Sequence, residues 1–518
     1  MAAKVILDAM IPRADFAATE EAYEMDLFQN FPIGTLDRDS PIRPLLRKPD
    51  FQRETNHWTP QQQAVFIASF LDNELIPALI LWKSPRYVFV IDGGHRLSAL
   101  RSWMEDDYGD GDVSRSFYKH GISSDQLKIA RRARKLIEHS VGKFSTLKAI
   151  VRGEVQGSEA EKARASRLFT RALALQWVQG NAAVAESSFF KINSQGTPLD
   201  DTEEMLLRNR RKSVAVAARA VVRAATGHKY WSAFSGKSQE EIEHLAAELY
   251  GLLFDPELET PIKTLDLPLG GTTSPVDALS LLIEFFTICD QTGNGPRPIE
   301  DYADDSDGND TIRLLKISSR IMERITGNSP GSLGLHPAVY FYNERGKHSR
   351  FLFLGMVDLI AQRLRNNDDD FFKRFTSARE RLERFLLENK SLIGIILQNT
   401  NRNSRVYRIR IMFEYLVGEY FRGNDVSPEG MISILGVKGR FFDITTSAES
   451  AKFSDDAKSE IYISAAVRSA PKCPICKGLL FPLKSVSYDH LQRVREGGFG
   501  DSSNGQMTHP YCNSAIRC

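Results

Sequence analysis

Four of the five cysteines of this 518-residue chain fall within its last 46 residues. They are spaced as Cys473-Pro-Ile-Cys476 and His509-Pro-Tyr-Cys512, with Cys518 at the end. Zinc takes four tetrahedral sulfur or nitrogen ligands, commonly as two short-spaced pairs. Cys473 and Cys476 make a C-x-x-C pair, and His509 and Cys512 make an H-x-x-C pair. A tight turn can aim both members of each pair at one ion. Thiols bind as thiolates, so such an ion holds the surrounding fold together. A disulfide is the other use of clustered cysteines. The first thirty residues carry Asp8, Arg13, Asp15, Glu20 and Glu21 and no long apolar run, so they do not read as a secretory signal. The chain therefore reads as cytoplasmic, which favours a structural Zn²⁺ over a disulfide. Cys289, isolated in an apolar helix-like run, and Cys518 read as bystanders.

The same segment carries Tyr488-Asp489-His490, Gly497-Gly498, Asn504-Gly505-Gln506, and Asn513 directly after Cys512. His490 and Asn504 are fourteen positions apart, and Asn504 and Asn513 nine. This arrangement resembles the HNH endonuclease ββα-metal fold, in the subtype with a cysteine zinc frame. The resemblance implies that His490 is the general base and that Asn504 orients its surroundings. It also implies that Asp489 and Asn513 hold one catalytic Mg²⁺ or Mn²⁺. Two positions depart from the commonest pattern. Asn513 replaces a histidine, and His509 stands where a fourth cysteine is usual. His509 thus either completes the zinc set or serves the catalytic metal, and the intervals favour Asn513 for the second role. The chemistry is sound on its own terms. A neutral imidazole can take a proton from attacking water, and Mg²⁺ takes oxygen ligands while leaving positions for phosphate. A zinc knuckle that binds nucleic acid without cutting has no need of Asp-His followed by both asparagines.

A second motif stands in the N-terminal third: Tyr87-Val-Phe-Val-Ile91-Asp92-Gly93-Gly94-His95-Arg96-Leu97-Ser-Ala-Leu100. A β-branched and aromatic strand runs into a Gly-Gly turn. A helix then opens with Leu97 and Leu100 on one face. Backbone N–H groups at a helix start favour an anion, and Arg96 adds a fork-shaped donor. The plain alternative is a structural turn with Arg96 paired to Asp92. Asp50-Phe51-Gln52-Arg53 and Trp58 precede the motif, and Phe189-Phe190-Lys191-Ile192-Asn193-Ser-Gln-Gly196-Thr-Pro-Leu199 follows it. These three ordered blocks resemble the ParB/sulfiredoxin-like domain of the GmrS and SspE type, whose Asp-Gly-Gln-Gln-Arg stands here as Asp92-Gly93-Gly94-His95-Arg96. The resemblance implies a pocket of Asp92, Gly93, Gly94, His95, Arg96 and Arg53, with Asn193 nearby, that takes GTP or ATP or senses DNA modification. Gly94 and His95 replace two glutamines, which leaves nucleotide hydrolysis open. Sulfiredoxin's reactive cysteine is absent.

Length and pattern predict a multi-domain α+β chain. We expect a ParB-like domain over 20–212, a mainly helical domain over 213–440, a linker over 441–464, and a zinc-bound ββα domain over 465–518. The helical expectation rests on apolar spacing in Val214 to Val222, Glu240 to Leu253, Leu352 to Leu364 and Phe371 to Leu387. The stripe Phe371, Phe375, Leu382 and Phe385 reads as core. No apolar run approaches a membrane span. Net charge is only +1, so the chain as a whole is no basic nucleic-acid coat. Three basic clusters remain, Arg131 to Lys135, Arg208 to Lys212 and Arg402 to Arg410, each of which reads first as a solvated face.

Taken together, the resemblances imply a metal-dependent DNA endonuclease of a bacterial anti-phage restriction system, governed by its N-terminal domain. Its DNA partner would be phosphorothioate-modified or hydroxymethylated. One metal site cuts one strand, so a single unit nicks and a homodimer would cut both. The rival is a non-cleaving DNA-binding regulator with a structural zinc domain.

Overall fold

The computed structural model describes residues 4–14, 16, 27–50, 52, 58–119, 121–195, 201–272, 275–292, 295–435 and 452–516. The chain forms two compact units, Met1–Arg210 with Thr226–Tyr230, and Arg211–Ala225 with Trp231–Cys518.

The first unit is built on a six-stranded mixed sheet. Its strands are β1 (Arg13–Ala14), β2 (Asn30–Pro32), β3 (Leu46–Pro49), β4 (Leu79–Lys83), β5 (Val88–Asp92) and β6 (Ala172–Val178), in the spatial order β1-β3-β5-β4-β6-β2. The central strand β5 runs parallel to β3 and antiparallel to β4. Successive side chains of a strand point to opposite faces. Val88 and Val90 enter one core with Leu79, Leu81, Ile67 and Phe70. Phe89 and Ile91 enter another with Trp82, Phe16 and Phe189. The sheet is thus covered on both faces, which explains the unbroken apolar run that marks β5 in the sequence. Helix α1 (Pro60–Leu71) starts at a capping box formed by Thr59 and Gln62. Helix α2 (Gly94–Glu105) follows β5 directly and buries Leu97 and Leu100 in the first core.

The second unit is mainly helical. Helices over Ser213–Val221, Gly236–Phe254, Arg350–Arg365 and Asp369–Glu388 occupy the four segments expected from apolar spacing. Phe371, Phe375, Leu382 and Phe385 are all buried, as their spacing suggests. The C-terminal metal segment belongs to this same unit. Of the linker expected over 441–464, residues 441–451 lie outside the described residues. The remainder is largely the helix Asp455–Ser469, capped by Ser454 and hydrogen-bonded through Ser459 Oγ to the backbone N–H of Ile262 at 3.0 Å.

Candidate functional site

Cys473, Cys476, His509 and Cys512 converge. All four are buried, and their ligand atoms lie within 4.8 Å of one another. Lys472 pairs with Leu479 in a short β-bridge, and Cys473 N–H donates to Gly478 O at 2.9 Å, which forms the tight knuckle the C-x-x-C spacing calls for. His509 Nδ1 sits 3.2 Å from Cys476 Sγ and 3.9 Å from Cys512 Sγ. Its Nε2 contacts Leu479 O at 2.9 Å, which fixes the ring so that Nδ1 faces the sulfurs. Burial, then the nearby Arg379 charge, hold the imidazole below its ordinary pKa and hence in the neutral, ligating form. The donor set fits a metal ion. His509 stands with the cysteines, the first of the two places the sequence left open for it. Cys289 is buried apart from this cluster, and burial pushes its thiol up to about 12, so it is inert as a thiolate.

The knuckle rests on a buried ion pair that the sequence did not reveal. Arg379 Nε donates to Glu383 Oε1 at 2.7 Å, and Leu479 N–H donates to Glu383 Oε2 at 2.7 Å. Arg379 also donates to Leu333 O at 2.5 Å and to Gly334 O at 2.9 Å. Tyr340 Oη donates to Glu383 Oε1 at 3.0 Å. Glycine is needed at position 478 because a Cβ there would lie 2.4 Å from Arg379 Nε. Ser332 O accepts the Tyr511 N–H at 2.9 Å, so both halves of the metal frame are tied to the helical part of the unit.

Between the two halves lies a long-looped hairpin, β7 (Ser487–His490) with β8 (Gly505–Thr508). Asp489 pairs with Gln506 and His490 with Gly505. A π-helical turn, Cys512–Ile516, follows. This is a strand, strand, helix order. Asn513 Nδ2 donates to Ser487 Oγ at 2.7 Å and to Tyr488 O at 3.3 Å. Asn513 is thus tied to the strand that carries Asp489. Gln506 Nε2 donates to Asp489 Oδ2 at 3.0 Å. His490, next along the strand, is partly exposed, with its Nε2 3.9 Å from where a Cβ of Gly500 would sit. Asn504 clamps the loop between the strands. Its Nδ2 donates to Gln492 O at 3.0 Å and Phe499 O at 2.8 Å, and its Oδ1 accepts from Gln492 N at 2.7 Å. Around the hairpin Tyr488, Leu491, Val494 and Phe499 stand between 53% and 78% exposed.

In the first unit, β5 delivers Asp92 to the turn and Gly93 takes φ +96°, a left-handed conformation that also brings its backbone against Leu79. A register shift in the β4–β5 pairing falls beside Asp92. Arg96 is an ion-pair partner of Asp92 and donates to the carbonyls of Pro77 and Ala78. Its terminal nitrogens are thus engaged by a carboxylate and two carbonyls, and the pairing with Asp92 is the plain alternative that the sequence offers. Gln52 lies against Gly94, 3.5 Å from where a Cβ would sit, and donates to Ile91 O at 3.4 Å. Its Oε1 finds no hydrogen-bond partner among the described residues. The Trp58 and His95 rings lie 5.8 Å apart. Arg53 and the Asn193 side chain lie outside the described residues. Arg13 donates to Gln52 O from a buried group that no sequence pattern marks, in which Asp8 pairs with Arg13 and, at 2.6 Å, with Lys48. Burial alone would raise the Asp8 pKa, but the two cations outweigh it and hold the carboxyl well below its usual range.

Several members of two of the three basic clusters are held in ion pairs, while Arg131, Arg132 and Lys135 are exposed. Arg134 pairs with Asp106 at 3.0 Å and Asp110 at 2.6 Å. Arg208, Arg210 and Lys212 pair with Glu204, Glu186 and Asp304.

Residues 27–211 match the family model described as GmrSD restriction endonuclease, N-terminal domain. No curated protein and no solved structure matches the chain. Among the described residues no helix is long and apolar enough to cross a membrane.

Proposed function

We propose that this chain, with its GmrSD-type N-terminal domain, is a metal-dependent DNA endonuclease whose cutting site is the hairpin of β7 and β8. The observation that supports the reading is the hydrogen bond from Asn513 to Ser487 on the strand that also carries Asp489 and His490. In this reading Cys473, Cys476, His509 and Cys512 hold Zn²⁺ and fold the segment. Asp489 and Asn513 would hold Mg²⁺ or Mn²⁺, which neutralises charge on a phosphodiester and its leaving oxygen. His490 takes the proton from water as it attacks phosphorus. Asn504 keeps the loop that carries Phe499 and Gln492 in place beside it. The exposed apolar side chains Tyr488, Leu491, Val494 and Phe499 suit contact with nucleic acid, where such groups stack on or wedge between bases. The N-terminal unit governs the cut by reading a modification on DNA, phosphorothioate or hydroxymethyl, or by binding GTP or ATP. With Arg96 committed to Asp92, Gln52, Gly94 and His95 are the groups that would meet such a ligand. A single hairpin nicks, and a homodimer cuts both strands.

The test is relaxation of supercoiled plasmid by purified protein with Mg²⁺ or Mn²⁺, on plain and modified DNA, with and without GTP or ATP. Wild type should nick under at least one condition, and His490→Ala should not. If both leave the plasmid equally intact under every condition, the nuclease reading fails in favour of its rival, a DNA-binding regulator with a structural metal domain.

A further inference from the structure

The third basic cluster leads to a cavity that neither site uses. In the second unit the helices Pro275–Cys289, Arg350–Arg365 and Arg405–Phe421 and the turn Arg402–Ser404 enclose a cleft of about 720 Å³. That volume lies within the roughly 300–1,000 Å³ of small-molecule sites. It is outside residues 27–211 and is lined by no member of the metal cluster or the hairpin.

Its charges are unequal. Two carboxylates line it, and each has its own cation. Glu284 pairs with Arg350 at 2.9 Å, and Asp358 pairs with Arg410 at 3.0 Å. Arg365 and Arg402 also line it, and among the described residues neither has a carboxylate in ion-pair range. Arg365 donates only to a backbone carbonyl, Gln291 O, at 2.7 Å. Two guanidinium groups with no ion-pair partner among the described residues suit an anion at one cleft, and the planar fork suits phosphate. A bare phosphate would not fill the space. The rest of the lining suits a flat, polar heterocycle. Tyr407 stands at the cleft 56% exposed, with Arg410 stacked 5.0 Å from its ring centre. The amides of Gln362, Asn366 and Asn403 offer donors and acceptors together, as a base edge requires.

We infer that this cleft is a nucleotide-binding site, taking phosphate on Arg365 and Arg402 and stacking a base on Tyr407. The same chemistry is presented by a free nucleotide and by a nucleotide turned out of a DNA strand. Because the helices that form the cleft belong to the same unit as the metal segment, its occupant acts on the half of the chain that carries the hairpin.

Calorimetric titration of the full chain tests this, with ATP, GTP, CTP and UTP in one arm and a single-stranded thymidine 12-mer in the other. Arg402→Glu and Tyr407→Ala each alter an exposed side chain, so neither challenges folding. Both should weaken binding at least tenfold, while Arg131→Glu, which alters an exposed side chain of the first unit outside either site, leaves it unchanged. An effect on a triphosphate assigns the site to free nucleotide, and an effect on the oligonucleotide alone assigns it to a strand. The inference is overturned if no titrant binds, if either variant binds as wild type does, or if Arg131→Glu alone abolishes binding.

Discussion

Arg379 and Glu383 form an ion pair at 2.7 Å with both side chains only 2% exposed, directly under the knuckle that carries Cys473 and Cys476. Breaking a buried pair leaves a charge without compensation and costs about 3–5 kcal/mol. Glu383→Ala also strands the Leu479 N–H and the Tyr340 hydroxyl. We expect it to lower the stability of the second unit by at least that amount in urea denaturation. Glu383→Gln, which keeps an acceptor, should recover part of the loss.

Metal removal should reach beyond the C-terminal segment. Leu479 gives its N–H to Glu383 and its carbonyl to His509, so the metal frame and the helix Asp369–Glu388 share one residue. Structural zinc contributes folding free energy outright. Prolonged chelation, or Cys476→Ser, should lower the Tm of the second unit by about 10 °C or more. A calorimetric trace in which only a small, separate transition disappears would contradict this.

His336 predicts an acid dependence. It is buried, its Nδ1 accepts the Ala338 N–H at 3.2 Å, and burial pushes its pKa down to about 4. The unfolded chain takes up this proton near pH 6.5, and the folded chain does not. The group therefore costs nothing above about pH 6.5. Its penalty grows as pH falls toward 4, reaching about 2–3 kcal/mol at pH 4.5. His336→Asn keeps a capping acceptor and cannot titrate. The variant should match wild type at pH 7.5 and gain relative to it as the pH falls, read from paired denaturation curves.

Arg96 should behave as a brace. It links Asp92 on β5 to the carbonyls of Pro77 and Ala78 that precede β4. Arg96→Ala should destabilise the first unit by about 1–3 kcal/mol, the usual cost of buried acceptors left unmatched. The loss should appear in thermal melts without any nucleotide present.

The frame of both sites was legible because local rules specify it. The C-x-x-C and H-x-x-C spacings brought four ligands together, and the run into Gly93-Gly94 gave a strand, a turn and a helix in the expected places. What was illegible depends on distant partners. Arg379 and Glu383 sit at i,i+4, which on a helix usually means an exposed surface pair. Their burial comes from Leu333, Gly334 and Leu479, which are 45 to 96 residues away in sequence. The helix Asp455–Ser469 read as linker because it buries only a thin stripe, Ser459, Ile463 and Val467, beneath a charged surface. The pairing of Arg96 with Asp92 was one of two readings open in the sequence, whereas the carbonyls of Pro77 and Ala78 that also engage it carry no signal in side-chain identity.

The close approach of Gly478 to Arg379 bears on how such a chain can change over generations. A C-terminal module that folded by itself could be traded between proteins like a cartridge, with a join anywhere in the preceding residues. Here a graft that began near residue 465 would arrive without the carboxylate that answers Leu479 or the carbonyl that answers Tyr511. The smallest inheritable piece therefore runs from at least Ser332 to Cys512. Substitutions at Arg379, Glu383 and Gly478 should be accepted together or not at all.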